Sequence, residues 1–323
     1  MSARGMLQHV QAVSARWVAA TLALTAVTWL VVLAGLLAIA NRVHNDIPAA
    51  LAIKLPLLAS RPELVFGGES RTAYQVDPAI AAQMIGKPPG AAVNIAYDAG
   101  EPLALLAAMR REPDLFQKAD VVVSVAPFVF SEGVRPAAVY PRDVLPRLGV
   151  FNEMVSFLPL RSGTLIYFIR EAFAARLAAE KHVADTAPAP AALGVQIIRQ
   201  TQPEDRWAAE LGSHPYYANW NLAGPKAHFE IGALCEMVKL ARKVTVVVPP
   251  WAPRYDRVRD SDWSKKEDQY AALLADAGRG CGFDVLNLAS VPGLEQVNYA
   301  DEMHVNASGV PIYTRYLVSR LKR

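Results

Sequence analysis

The chain is poor in cysteine, in net charge and in low-complexity sequence, and each shortage removes a class of protein. Cys235 and Cys281 are the only two cysteines in 323 residues, too few and too far apart for a disulfide framework or a CxxC-type zinc site. They read as buried free thiols, with one disulfide between them as the alternative in an oxidising compartment. The net charge is +3, acids and bases are interspersed, and no basic run is long enough to cover a face, so nucleic acid is not expected as a partner. His214, His228 and Glu230 include a His-x-Glu pair, but no set of three ligands at plausible spacing emerges; neither metal nor cofactor is expected. There is no internal repeat, and the Ala/Pro segment "ADTAPAPAALG" is the only low-complexity piece.

Long apolar runs are also scarce: there is one. "WVAATLALTAVTWLVVLAGLLAIA", Trp17 to Ala40, runs 24 residues without a charge, and a helix needs about 20 apolar residues to cross a bilayer. Arg4 and Arg16 precede it, which favours a cytoplasmic N-terminus. The expected organisation is a cytoplasmic segment at 1–16, a transmembrane anchor at 17–40, a tether at 41–60 and an extracytoplasmic or periplasmic domain at 61–323. A signal peptide cleaved near Ala38-Ile39-Ala40 is the rival, although the run exceeds the usual apolar core of about 7–15 residues.

The domain has a regular rhythm. "ELVFGG", "AVNIAYDAG" and "ADVVVSVAP" read as strands, separated by the helical "DPAIAAQMIG" and "PLALLAAMRR". After residue 225 the pattern returns: "KAHFEIGALCEMVKLARK" as helix, "VTVVVPP" as strand, "WSKKEDQYAALLADAGRGCG" as helix, "FDVLNLAS" as strand and "NASGVPIYTRYLVSRLKR" as the closing helix. Short apolar runs alternating with helices indicate a parallel sheet covered on both faces. The expected fold is α/β, three-layered and flavodoxin-like, with five parallel strands. Residues 131–225 break the rhythm and read as a mainly helical insertion forming a cap or side lobe.

Right-handed crossovers bring every strand-to-helix loop to one edge of such a sheet, where ligands bind. The first loop carries Gly67, Gly68, Glu69 and Ser70, and the last, "NYADEMHVNASG", carries Asp301 and His304. A serine hydroxyl needs a base to become a nucleophile, and a histidine base needs a carboxylate to fix its tautomer. Ser70, His304 and Asp301 are therefore the candidate catalytic set, against the blander readings of Ser70 as a helix cap and His304 as a packing residue. Gly100, after the second strand, is either a turn glycine or an oxyanion donor. Arg71 is either a clamp for an acidic substrate group or an ion-paired side chain. Trp207, Tyr216, Tyr217, Trp220 and Trp251 are candidates for a sugar-binding platform, core packing being the alternative for the four in the insertion.

These residues resemble the blocks of the SGNH/GDSL hydrolase superfamily. "GGES" resembles the first block, with Ser70 in the nucleophile position and Glu69 where aspartate is usual. "NIAYDAG" resembles the second, whose glycine, here Gly100, donates its amide to the oxyanion beside that of Ser70. "YADEMHVNASG" resembles the last, with Asp301 and His304 completing a triad. The third block usually supplies an oxyanion asparagine, and "VSVAPFVFSEG" has none there. With the anchor, the pattern is similar to membrane-anchored SGNH-like proteins of alginate acetylation and lipoteichoic-acid D-alanylation. That resemblance implies a serine esterase or O-acyltransferase acting on acetyl or other small acyl esters of a cell-surface or secreted polysaccharide. It also implies a membrane-bound O-acyltransferase or polysaccharide synthase complex as partner. The alternative is a non-catalytic, anchored polysaccharide-binding or scaffold protein.

Overall fold

The computed structural model describes residues 17–32, 34–35, 49–98, 100–130, 222–254 and 261–321. Five strands, β1 (Leu64–Gly68), β2 (Ala92–Asn94), β3 (Asp120–Ser124), β4 (Lys243–Val248) and β5 (Asp284–Asn287), pair in parallel in the order β2-β1-β3-β4-β5. This is the flavodoxin-like order. β1, β3 and β4 coincide with apolar runs in the sequence, because a strand covered on both faces takes mostly apolar side chains. Successive residues then serve opposite cores: Val65, Val121, Val123, Val244 and Val246 face one cluster, and Leu64, Phe66, Val122 and Val247 the other.

Helices cover both faces. The six helices that shape the domain are α1 (Ser70–Gln75), α2 (Pro78–Met84), α3 (Pro102–Arg111), α4 (Pro225–Met237), α5 (Ser261–Cys281) and α6 (Gly309–Arg320). Leu105 and Met109 of α3, Leu234 of α4 and Leu274 of α5 fill the first core, while Ala81 of α2 and Tyr313 and Leu317 of α6 fill the second. Local signals explain where several begin. Asp77 accepts from the amides of Ala79 and Ile80 ahead of Pro78, so α2 starts with its free donors satisfied. At α3, Pro102 opens the helix and the Leu103 amide donates to Glu230 of α4, 3.0 Å away. Glu230 is thereby a helix cap supplied from another helix.

Two expectations change. Residues 49–60, expected as tether, form a short helix (Ala49–Ala52) and a 3-10 turn (Leu55–Ser60), and Leu51 and Leu58 sit in the first core. Apolar spacing in this stretch serves packing. The two cysteines are joined: Cys235 of α4 and Cys281 at the end of α5 form a disulfide with a Cα–Cα distance of 5.1 Å. Their separation of 46 residues hid the fact that α4 and α5 lie side by side on one face. Near the N-terminus, residues 17–32 are helical, and Trp17, Leu22, Leu24, Trp29 and Val31 are exposed. Among the described residues no helix is long and apolar enough to cross a membrane. Most of the expected insertion, residues 131–221, lies outside the described residues, and with it Trp207, Tyr216, Tyr217 and Trp220.

Candidate active site

The chain leaves β1 for β2 on one side and later adds β3 on the other, so the loops after β1 and β3 part at a crevice. Ser70 is the first residue of α1, two positions beyond the end of β1. Gly68 makes this turn with φ +107°, and a side chain there would meet the Ser124 carbonyl oxygen at 2.2 Å. Only glycine fits.

From the other end of the chain, the loop after β5 returns to the same crevice. His304 Nε2 lies 2.8 Å from Ser70 Oγ, and Nδ1 lies 2.7 and 2.9 Å from the two Asp301 carboxylate oxygens. The His304 and Met303 amides also donate to Asp301, at 2.7 and 2.9 Å. The Asp-x-x-His spacing closes a turn in which one carboxylate holds both the backbone and the ring of its histidine. Burial pushes the Asp301 carboxyl up, but the hydrogen bond and charge of His304 and the two amides outweigh it, and the net direction is below the usual aspartate value. Both side chains are nearly buried, at 15% exposure for His304 and 16% for Asp301. An antiparallel bridge between Tyr299 and Val305 braces the turn, as does the Asn306 amide donating to the Asn298 carbonyl at 2.8 Å.

A buried polar group lies beneath the serine. Glu69, fully buried, caps α1 by accepting from the Arg71 amide at 2.9 Å. Its carboxylate also accepts from Arg71 Nε and Ser124 Oγ, both at 3.1 Å, and faces Ser70 Oγ at 3.3 Å. Thr72 Oγ1 donates to Ser124 Oγ at 2.5 Å. Thus Ser124, the last residue of β3, is tied inward to Glu69. Arg71 is only 1% exposed; with its charge spent on Glu69, it is not the substrate clamp entertained from the sequence. Its guanidinium packs 4.9 Å from the centre of the half-buried Trp251 ring and donates to the Pro249 carbonyl at 3.4 Å.

Gly100 has a steric role. A Cβ there would lie 2.0 Å from the Gly68 carbonyl oxygen, and the Gly100 amide donates to the Tyr97 carbonyl at 2.9 Å. That amide, expected to face an oxyanion, is committed to a turn in this arrangement. The Ser70 amide opens α1, where no intrahelical acceptor exists for it.

Several further residues shape the site without having been singled out from the sequence. The Tyr74 ring meets the His304 ring edge-on at 5.4 Å, and burial, then its hydrogen bond to Asp98, raise its phenol above the ordinary tyrosine value. Lys54, 2% exposed, donates through Nζ to the Ala96 carbonyl; burial lowers its pKa to about 8 although nearby Asp98 opposes the shift. Asn94 fastens α1 to β2 by donating to the Thr72 and Val76 carbonyls at 2.8 and 2.9 Å. An Asn closing an apolar strand was the available signal for that last role; nothing in the local sequence marks Lys54. Among the described residues no group of three or more His, Cys, Asp or Glu side chains is arranged to hold a metal.

No protein-family model and no curated protein matches the chain. Among solved structures it is similar to a lipase/acylhydrolase from Enterococcus faecalis, with 14% identity over 81% of this chain and 97% of that one and a TM-score of 0.37. It is also similar to a carbohydrate acetylesterase family member from Sinorhizobium meliloti (12% identity, 80% and 96% of the two chains, TM-score 0.33). A third is a catalytic mutant of an acetylxylan esterase from Geobacillus stearothermophilus (13% identity, 79% and 92%, TM-score 0.32). The reading of the site rests on its own geometry.

Proposed function

We propose that this chain is a membrane-anchored serine esterase or O-acyltransferase of the SGNH type, acting on small acyl esters of a polysaccharide. One observation carries the reading: Ser70 Oγ lies 2.8 Å from Nε2 of His304, 234 residues on in sequence, whose Nδ1 lies 2.7 Å from Asp301 of the same turn. A nucleophile, its base and the group orienting that base are the elements of acyl transfer through a covalent intermediate.

In the first step Ser70 Oγ attacks the acyl carbonyl while its proton passes to His304 Nε2. Asp301, already bonded to Nδ1, stabilises the imidazolium. The Ser70 amide meets the oxyanion; the Gly100 amide joins only by exchanging the Tyr97 carbonyl for the substrate. Collapse of the tetrahedral intermediate breaks the bond to the sugar oxygen, which takes the proton from His304, and leaves the acyl group on Ser70. Water or a second sugar hydroxyl, deprotonated by His304, then attacks the acyl-enzyme and frees Ser70. The two outcomes use the same residues and differ in whether water reaches the intermediate.

The charge-free run at 17–40 supports an anchor of a single span with its N-terminus in the cytoplasm. Exposed apolar side chains along 17–32 fit it, as do Thr21 and Thr25, whose hydroxyls donate to the carbonyls four residues back, at 2.9 and 2.8 Å. The Cys235–Cys281 disulfide fits a domain on the oxidising side. The polymer-acylation setting, with an O-acyltransferase or synthase partner, rests on this architecture.

A fluorophosphonate probe tests the chemistry. Full-length protein in detergent should be labelled, and Ser70→Ala should lose the label while keeping its circular dichroism spectrum. No labelling of folded wild type would favour the non-catalytic binding or scaffold role, to which the missing third-block asparagine lends some weight.

A further inference from the structure

We infer that Glu69 and Arg71 act as a charge-balanced positioning pair beneath the nucleophile, in which Arg71 cancels the carboxylate that caps the Ser70 turn. The inference rests on the Ser70–His304–Asp301 reading and concerns what keeps the Glu69 charge from biasing that set.

Glu69 does more than cap α1. One carboxylate oxygen lies 3.3 Å from Ser70 Oγ, the atom that also lies 2.8 Å from His304 Nε2. The carboxylate and the imidazole are therefore within about 6 Å of each other, a range over which charges in a buried site interact strongly. Left alone, a buried anion there would oppose charge growing on Ser70 and would hold a proton on His304. Arg71 removes that effect by pairing with Glu69 at 3.1 Å, with both side chains at 0% exposure. The guanidinium is not placed there for its own hydrogen bonding. Its Nη2 has no hydrogen-bond partner among the described residues, and the Pro249 contact is long at 3.4 Å. A buried cation that is incompletely bonded is costly to keep, which makes its carboxylate partner the reason it is tolerated.

The pair also joins the two halves of the site. Arg71 reaches Pro249 and Trp251 of the loop after β4, and in that loop the Ala252 amide donates to the Glu302 carbonyl at 2.9 Å, between Asp301 and His304. A chain of contacts, from the ion pair through the loop after β4, thus links the serine turn to the histidine turn.

Other ionisable groups in this region are accounted for. Asp301 and Glu302 share the loop of His304, Tyr74 approaches it from α1, and Asp98 and Lys54 stand behind Tyr74. Tyr270, Tyr299 and Tyr313 border the ion pair, and burial raises all three phenols, so they remain neutral through the range in which histidine titrates.

The test is the titration midpoint of the His304 imidazole, followed by NMR in full-length protein with labelled histidines and assigned through His304→Gln. Arginine cannot relieve an imbalance by losing its proton, so Glu69→Gln is the decisive variant: it leaves Arg71 unbalanced and should lower the midpoint by on the order of one pH unit. The double variant Glu69→Gln/Arg71→Met removes both charges and should return it to within a few tenths of wild type. Should Glu69→Gln not fold, Arg71→Met carries the test with the opposite sign. A wild-type midpoint in a folded single variant overturns the inference. So does a displaced midpoint that persists in the double variant, because a purely structural disturbance is not reversed by removing the second charge. Labelling of the wild type is read separately, so loss of the enzyme reading is distinguishable from loss of this one.

Discussion

Gly100→Ala offers a demanding test of how closely the loops must approach. The added Cβ would sit 2.0 Å from the Gly68 carbonyl oxygen and 2.8 Å from its carbon. Relief of such a contact needs a shift of about 1 Å or more, because atoms in well-packed interiors do not approach so closely. Gly68 cannot yield freely. Its φ is +107°, its Cα hydrogen faces the Ser124 carbonyl across the strand pair, and its own carbonyl accepts from the Tyr97 amide at 3.2 Å. The displacement therefore passes to Glu69 and Ser70, which follow directly. A misplacement of about 1 Å at a reacting centre can cost ~10² in rate, and overpacking of this kind costs roughly 1–3 kcal/mol of stability. The expected result is fluorophosphonate labelling of Ser70 slowed about 10²-fold, with a lowered Tm. Gly232→Ala is the control: nothing lies within 4 Å of the Cβ it would add, and it sits inside α4. It should leave labelling unchanged and raise stability by roughly 0.5–1 kcal/mol. Gly100→Ala labelled at the wild-type rate, with an unaltered melt, would refute the close-approach argument.

Two further outcomes concern stability. The disulfide closes a loop spanning 46 residues of separation; chain-entropy arguments give it about 4 kcal/mol, so reduction or Cys235→Ala/Cys281→Ala should move denaturant unfolding to clearly lower concentrations. Equal midpoints for the oxidised and reduced chains would remove that stabilising role. Lys54, with its pKa lowered by burial to about 8, binds its proton less tightly folded than unfolded. Stability should therefore rise with pH from about 8 until lysine in the unfolded chain also loses its proton. Above about pH 10 the buried tyrosines oppose this, because the folded state keeps protons that the unfolded state releases. The rise between these limits should vanish in Lys54→Met, and its persistence there would assign it to another group.

What the sequence made legible, and what it hid, follows one physical division. Runs such as Val121–Val123 and the valine-rich Val244–Val248 announce buried strands because a strand covered on both faces takes mostly apolar residues, and that requirement is local. Given parallel strands, the edge that gathers the loops follows from chirality, and so Ser70 and His304 could be matched across the whole chain. The buried ion pair was hidden for the opposite reason. An acid and a base two residues apart look like solvated surface charges, and only the turn forced by Gly68 drives both side chains inward, where Ser124 and Trp251 already wait. Lys54 and the cysteines fall on the same side of the division: their partners, Ala96 and each other, are chosen by the packing of elements that carry no mark of one another. Ser124 is the most instructive of these. In the sequence it is one small polar residue within an apolar run; in the fold it ends β3, and its hydroxyl is spent on Glu69 and Thr72. That hydroxyl donates to Glu69 and accepts from Thr72, so Ser124 braces the turn before Ser70 from behind, and both partners lie more than fifty residues away in the chain, 55 and 52 positions.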